Sequence, residues 1–363
     1  MNEKLHYTQI AVIVYMIQSG VILFALPRLV AEAFGTNGWL GLILISGIVL
    51  VNIFLIVFVY NKGNGQSVFS ILEATLPKWV YVPFYFLMIV NFSFLAVLVG
   101  KSYILLIQRT MFPTVGTNPF LIYVLITALF FVSKGIYNMG KITLLFFFLT
   151  IWTIFLFLLL LPEFSFQRMT PFIFQGASFS FDKSFEVYTA FVGFEIVLFL
   201  FPYAQNDRKF SKAVILGQLF TTVIYLAVCF VAMGFYSFGQ IKNILYPTQN
   251  LFKFMETPLI ERIENIVFVI FFLKIIVTVS FYYWASVETA KRILTKIKEK
   301  WLLLMIIVTS FIFSFFFEIQ REINEVLNII VLGQVIFSFS FPVLLLLLLW
   351  LKNMKTKRGN KVA

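Results

Sequence analysis

The chain consists of ten long apolar stretches that are separated by polar joints. A transmembrane helix needs about 20 predominantly apolar residues, and each stretch approaches or exceeds that length. We therefore predict an all-α integral membrane protein, with one transmembrane domain of about ten helices over residues 1–363. The predicted spans are residues 8–32, 38–60, 80–108, 118–134, 141–161, 185–204, 212–236, 263–287, 301–317 and 325–351.

Basic residues are distributed unequally between the two ends of the predicted bundle. If the joints alternate from the N-terminus, the side that carries both termini holds 18 Lys and Arg, and the other side holds 8. Joints rich in Lys and Arg stay in the cytoplasm. The pattern predicts that both termini are cytoplasmic and that residues 352–363 form a basic cytoplasmic tail.

The composition excludes a soluble protein. Charged residues make up 12% of the chain, whereas soluble proteins carry about 25%. The net charge of +12 lies in the joints, so we assign it to orientation and to contact with the lipid bilayer, and we predict no nucleic-acid partner. The basic run Lys291–Lys300 is expected to bind anionic lipid headgroups.

The residue types that carry most catalytic and metal chemistry are scarce. Cys229 is the single cysteine and His6 the single histidine, which excludes an internal disulfide and a His-cluster metal site. Phosphate-loop and catalytic signatures are absent from the sequence. We therefore predict neither an enzyme nor a cofactor or metal.

The first helix of each half of the chain carries a matching interruption. Ten spans divide into two sets of five, which permits an inverted repeat of residues 8–161 and 185–351. Paired helices interrupted by Gly and Pro mark the binding site of many secondary transporters, although Gly and Pro also serve close packing in membranes. We predict that spans one and six are broken. The interrupting residues are Gly20 with Pro27, and Gly193 with Pro202.

Three ionisable residues lie within the spans, where an ionisable group usually faces a cavity or a partner. Glu195 follows the break of span six and is either a carboxylate at the ligand or proton site, a partner of one of the two lysines, or a neutral buried acid. Lys274 either faces unwound carbonyls of span one, as a sodium ion does in sodium-coupled carriers, or pairs with Glu195 or a neighbouring carbonyl. Lys101 lies near the outer end of span three and is expected to snorkel.

The two breaks together suggest the class of ligand. The amides at the start of a half helix favour a carboxylate, and carbonyls that end the first half of span six, near an acid, favour an ammonium group. A small amino acid or similar metabolite carries both groups. The candidate ligand-binding residues are Ser19, Gly20, Val21, Ile22, Gly193, Phe194, Glu195, Tyr103 and Thr278, and the candidate coupling or ion-substituting residues are Lys274, Glu195 and Lys101.

The joint between spans seven and eight, residues 238–262, is long and apolar. Its pattern predicts helical turns at residues 251–255 and 259–263. It either folds back as a gate over the site or lies on the membrane surface without a gating role.

Three stretches of the chain carry a resemblance to a known family. They are Tyr7-Thr8-Gln9-Ile10 with Gly20, Leu26-Pro27 and Gly38-Trp39-Leu40; Gly193-Phe194-Glu195 through Phe201-Pro202-Tyr203 to Arg208-Lys209-Phe210-Ser211-Lys212-Ala213; and Glu261-Arg262-Ile263-Glu264-Asn265. These stretches resemble the endospore germination receptor B-subunit family, a branch of the amino acid, polyamine and organocation carrier superfamily. The resemblance implies a LeuT-like fold and a role in sensing germinants, often amino acids. It also implies A and C partner subunits and a place in the spore inner membrane or the bacterial cell membrane.

Three functions are compatible with these features. The first is a germinant receptor subunit, in which ligand binding shifts a carrier-like protein between states. The second is an amino acid carrier with alternating access, coupled to protons through Glu195 or Lys274. The third is a structural membrane subunit with a vestigial site.

Overall fold

The computed structural model describes residues 4–205, 207–255 and 262–359, and it is all-helical. Helices include 82% of the chain. The described residues contain no strand, and their single β-type contact is an isolated parallel bridge between Leu5 and Ala204. The predicted all-α class is confirmed.

The helices follow the predicted order. They are α1 Tyr7–Gln18, α2 Ile22–Phe34, α3 Trp39–Lys62, α4 Val68–Glu73, α5 Lys78–Met111, α6 Thr117–Ser133, α7 Gly135–Ile151, α8 Phe181–Thr189, α9 Phe194–Tyr203, α10 Asp207–Phe235, α11 Phe238–Asn243, α12 Pro247–Lys253, α13 Ile263–Ile293, α14 Glu299–Ser314 and α15 Gln320–Gly359. A 3-10 helix, Trp152–Glu163, continues α7, and 3-10 turns form both ends of α9.

Eight spans satisfy the length and composition of a membrane crossing within the described residues. Six are α3, α5, α7 with its 3-10 continuation, α10, α13 and α15. The other two are bent pairs, in which α1 and α2 meet at 66° and α8 and α9 at 55°. The remaining two predicted spans coincide with α6 and α14, which have 17 and 16 residues. The repeat boundaries and the cytoplasmic orientation stay predictions, and residues 360–363 of the predicted tail lie outside the described residues.

The break in span one falls at Ser19–Val21, between α1 and α2, while Pro27 lies inside α2. Because proline has no N–H, the carbonyl of Leu23, four residues earlier, lacks its helical donor. The hydroxyl of Thr248 on α12 donates to that carbonyl at 2.9 Å. Pro27 therefore creates a docking point for the joint that follows span seven.

That joint folds back onto span one. Both α11 and α12 pack against α2, and Leu251 and Phe252 of α12 are buried. The predicted turn at residues 251–255 overlaps the end of α12. Residues 256–261, including Glu261 and part of the second predicted turn, lie outside the described residues.

The break in span six lies directly against the break in span one. Gly193 has a φ of +127°, in a region that side chains with a Cβ rarely adopt. A Cβ on Gly193 would stand 2.7 Å from Cγ2 of Ile17, at the end of α1. Contact between the two breaks therefore requires glycine at position 193.

Substitution Gly193→Ala is expected to lower the free energy of unfolding by about 3 kcal/mol, because backbone strain and overlap with Ile17 add. Gly135→Ala is a matched control, since Gly135 has a φ of +77° and nothing within 4 Å of its added Cβ. We expect that control to cost about 1 kcal/mol. Unfolding of the detergent-purified variants measures both values, and equal losses would contradict contact between the breaks.

One end of the bundle is closed by the segment that precedes α1. We call this end, where α1, α7 and α10 begin, the basic face. The amide of Leu5 donates to the carbonyl of Tyr203 at 2.7 Å, and the amide of Gln205 donates to the carbonyl of Leu5 at 3.0 Å. The hydroxyl of Tyr203 donates to Glu288 at 3.3 Å, and Glu288 pairs with Lys291 at 2.8 Å. These contacts tie spans one, six and eight together at the basic face.

Candidate functional site

A cavity of about 320 Å³ lies where the two breaks meet. Pockets for small ligands are typically of this size or larger. Its deep walls come from spans one, three, six and eight, and its mouth points away from the basic face. The deep walls include Ile17, Gly20, Val21, Ile22, Ala25, Leu95, Val99, Ser102, Ala190, Val192, Thr278 and Tyr282, and the mouth includes Arg28, Lys183, Glu186, Tyr246, Asn324 and Asn328.

Four of the nine predicted ligand-binding residues line this cavity. They are Gly20, Val21, Ile22 and Thr278. The other five are buried and do not line the cavity; they are Ser19, Gly193, Phe194, Glu195 and Tyr103.

On α5, the polar residue that lines the cavity is the neighbour of the predicted residue, Tyr103. Tyr103 is fully buried, and its hydroxyl donates to the carbonyl of Phe268 on α13. Its neighbour Ser102 lines the cavity instead. Adjacent residues on a helix point about 100° apart, so a boundary estimate from sequence does not select between them.

On α13, Thr278 and Tyr282 both line the cavity. The Thr278 hydroxyl lies 3.2 Å from the carbonyl of Ile17 and 3.1 Å from that of Lys274. Sequence reasoning missed Tyr282, although residues four apart share one face of a helix. The spacing of four residues between Thr278 and Tyr282 was therefore sufficient to predict that both face the cavity.

The start of α2 offers two backbone donors to the cavity. Val21 and Ile22 line it, and their N–H groups have no backbone acceptor among the described residues. The first N–H groups of a helix lack partners within that helix and carry partial positive charge. This end of the cavity suits a carboxylate.

The end of α8 has the opposite polarity. This helix ends at Thr189, and Thr189, Ala190 and Val192 line the cavity. The last carbonyls of a helix carry partial negative charge. This end of the cavity suits an ammonium group.

Glu195 is fully buried behind this wall. Its carboxylate accepts hydrogen bonds from the amide of Gly193 at 2.8 Å, the hydroxyl of Tyr282 at 3.0 Å and the side chain of Gln334 at 2.7 Å. No described lysine or arginine forms an ion pair with it. The structure therefore shows neither of the lysine pairs that we considered, and it connects Glu195 to the cavity through Tyr282.

Lys274 lies between spans one and eight. Its ammonium donates to the hydroxyls of Tyr15 at 2.8 Å and Ser19 at 3.3 Å. It also stands 4.7 Å from the centre of the Tyr15 ring and 4.8 Å from that of Phe271. The charge thus contacts the break of span one, through hydroxyl groups and aromatic rings and not through the expected carbonyls.

Lys101 does not snorkel to the membrane surface. It is 2% exposed, and its ammonium donates to the carbonyl of Ser314 at 2.5 Å. Ser314 is the last residue of α14, where helix carbonyls carry partial negative charge. Lys101 therefore joins span three to the end of span nine.

Span seven bridges the two breaks through a buried polar network, which sequence reasoning also missed. The Gln18 side chain donates to the carbonyl of Phe191 at 2.7 Å and to Gln218 at 2.7 Å. The Tyr225 hydroxyl lies 2.8 Å from the carbonyls of both Gln18 and Ala190. Carbonyl groups that the breaks release are satisfied in this way by protein side chains.

Charged residues surround the mouth of the cavity. Glu32 on α2 pairs with Arg28 at 2.6 Å and with Lys183 on α8 at 2.9 Å, and Lys183 also pairs with Glu186 at 3.2 Å. Tyr246 from the folded-back joint completes the mouth, and burial raises the pKa of its phenol. The halves of spans one and six that lie away from the basic face, α2 and α8, are thereby joined at the mouth of the cavity.

Comparisons with known proteins agree on family and fold. The family model described as spore germination protein, the spore permeases, matches residues 4–326. Spore germination protein GerQB of Bacillus cereus is 29% identical over 325 residues, 86% of each chain. Spore germination protein B2 of Bacillus subtilis is 28% identical over 72% of each chain, and protein A2 is 26% identical over 93% of each.

Two solved transporters share the fold at low identity. The nucleobase-cation-symport transporter Mhp1 is 11% identical, with a TM-score of 0.64 over 91% of this chain and 75% of its own. A Na⁺-coupled sialic acid symporter is also 11% identical, with a TM-score of 0.66 over 94% of this chain and 78% of its own. Both have the LeuT fold, which confirms the predicted fold class.

Proposed function

The chain belongs to the spore permease family of spore germination proteins, and we propose that it is the ligand-binding subunit of a germination receptor. The family match confirms the predicted resemblance, and the fold is that of a multi-pass membrane transporter. In our proposal, a small amino acid-like germinant binds in the cavity between the breaks. Binding shifts the conformation of the chain, and A and C partner subunits in the spore inner membrane transmit the signal.

One observation carries the proposal of an amino acid-like ligand: the two helix ends that line the cavity have opposite polarity. The start of α2, with the free amides of Val21 and Ile22, and the carboxyl end of α8, at Thr189, both lie in the cavity wall. Between them the walls are mainly small or aliphatic, as at Gly20 and Ala190. A zwitterion with a short side chain satisfies both ends without leaving a charge unpaired.

Deletion and transport together test the receptor function. We expect deletion of the chain to abolish germination in response to one nutrient while other germination routes remain. Purified protein in liposomes should bind that nutrient without accumulating the labelled compound. Accumulation driven by a proton gradient would instead support the carrier, and loss of germination without any binding of the nutrient would support a structural subunit.

We also propose that Lys274 takes the role that a sodium ion has in sodium-coupled carriers of this fold. Its ammonium already contacts Ser19 in the break of span one, so binding of the germinant should not depend on added sodium. Replacing sodium by choline is expected to leave the wild-type affinity unchanged. Lys274→Met should weaken ligand binding about tenfold or more, since Tyr15 and Ser19 lose a charged donor.

Titration of the ligand in sodium and in choline buffers measures both effects. Lys101→Met is a matched control, because Lys101 is equally buried but contacts Ser314, away from the breaks. A wild-type affinity that requires sodium would contradict this role of Lys274, and so would an equal loss in both lysine variants.

A further inference from the structure

A second cavity lies on the lipid-facing side of α1, between α1, α7 and α10. This groove has a volume of about 400 Å³, and its walls are almost wholly apolar. Its inner end is closed by three aromatic rings, where the Tyr15 ring centre lies 4.8 Å from that of Phe220 and 5.7 Å from that of Phe147. Ala11 and Val12 form the side that α1 contributes.

The groove is narrow at its base because α1 and α10 approach closely there. A Cβ on Gly217 would stand 2.5 Å from the carbonyl of Ala11, so only glycine permits this packing. Above that contact, Leu216, Leu219 and Val223 line the groove and are 43% to 60% exposed. An elongated apolar slot therefore runs along α10 toward the basic face.

Lysine side chains stand at the end of the slot on the basic face. Lys209 and Lys212 are exposed and precede Leu216 by seven and four residues, which places them on the same face of α10. The Lys209 ammonium lies 5.0 Å from the centre of the Tyr7 ring, at the start of α1. Lys141 on α7 is also exposed, but its ammonium lies over the Tyr137 ring at 4.1 Å, and the helix turns it about 120° away from Phe147. Two of the three helices of the groove, α1 and α10, thus place an aromatic or basic residue at its open end.

We propose that this groove binds one acyl chain of an anionic phospholipid, whose phosphate is held by Lys209 and Lys212. The slot matches an extended hydrocarbon chain, and the lysines match a negatively charged headgroup at the edge of the bilayer. Any phospholipid can cover the apolar walls. The lysine cluster adds the selectivity for negative charge.

The position of the groove connects lipid binding to the ligand site. Tyr15 forms its inner end and also accepts a hydrogen bond from Lys274 at 2.8 Å. The break at Ser19–Val21 separates α1 from α2, and the two helices meet at 66°. A bound acyl chain fills the space next to α1 and stabilises the position in which the basic face is closed.

Photo-crosslinking of the full chain in phosphatidylcholine liposomes tests the proposal. The probes are phosphatidylglycerol and phosphatidylcholine, each with a diazirine on one acyl chain. We expect the phosphatidylglycerol probe to label peptides of α1 and α10, with displacement by unlabelled phosphatidylglycerol and not by phosphatidylcholine. The double variant K209A/K212A should weaken displacement by unlabelled phosphatidylglycerol roughly 25-fold, because each lysine near the surface contributes about a fivefold step.

Two further variants distinguish the contribution of the headgroup to binding from that of the acyl chain. K298A/K300A removes the same charge from another joint at the basic face and should leave displacement from the α1 and α10 peptides unchanged, whatever lipid that joint binds. Leu219→Trp fills the slot and should remove labelling by both probes while the lysines remain. Equal labelling of wild type by the two probes would overturn the proposal, as would equal loss in the two double variants. Cross-links from the groove to a second protein chain would also overturn it, since they would assign this face to a protein interface.

Discussion

Gly20→Leu is expected to abolish the response to the nutrient while the protein remains in the membrane. An added Cβ at Gly20 would lie 3.8 Å from Cδ1 of Ile275 and 3.9 Å from the Thr278 hydroxyl, so a methyl group fits without displacement. A leucine side chain extends further, into the space next to Val21 and Ile22. It would separate a ligand carboxylate from two donors, which corresponds to at least a 100-fold loss of affinity.

Gly20→Ala is the matched control, because its single methyl group makes ordinary van der Waals contacts. We expect it to shift the dose response only slightly. Germination of spores across a range of nutrient concentrations measures both variants, and the amount of protein in the membrane must be equal. A normal dose response of the Gly20→Leu variant would show that the nutrient does not bind in this cavity.

Glu195→Gln is expected to lower the free energy of unfolding by about 3 kcal/mol and to weaken the nutrient response. Three donors point at the carboxylate, from Gly193, Tyr282 and Gln334. Glutamine offers one acceptor oxygen where the carboxylate offers two, so the three donors can no longer all be satisfied in their present orientations. Because Gly193 lies at the break and Tyr282 lines the cavity, the misfit reaches the ligand site.

The exchange variant Glu195→Gln with Gln334→Glu tests the cause of that loss. It restores one acceptor and one donor between spans six and ten, so it should recover part of the lost unfolding free energy. Thermal unfolding of the purified variants and their nutrient responses provide the readouts. If Glu195→Gln alone matched wild type in both, the hydrogen bonds would have no part in holding the break.

The breaks were predictable because their causes are local. A glycine at position 20 or 193 allows the backbone to leave the helical conformation. Two such helices at matching positions indicate a binding site, and this inference needs no knowledge of tertiary contacts. Composition and joint charges likewise predicted the membrane class, since each span carries its own apolar signal. The contact between Gly193 and Ile17 required the structure, because it joins residues far apart in the chain.

The partners of the buried charges were not predictable for the same reason. The position of Lys274 in the middle of span eight is compatible with several partners. Its contacts with Tyr15 and Ser19 depend on how α13 packs against α1. The bridging role of Gln18 gave no sequence signal beyond a polar residue in span one. Pro27 belongs to the predicted break, whereas its missing N–H leaves the carbonyl of Leu23 free to accept from Thr248, 225 residues further along the chain.

Direct binding of a panel of amino acids to the purified chain tests the central claim. We predict saturable binding of one small amino acid to wild-type protein and to Gly20→Ala, with binding to Gly20→Leu weakened at least 100-fold. If none of the amino acids binds, or if one binds Gly20→Leu as tightly as wild type, the cavity between the breaks is not the germinant site.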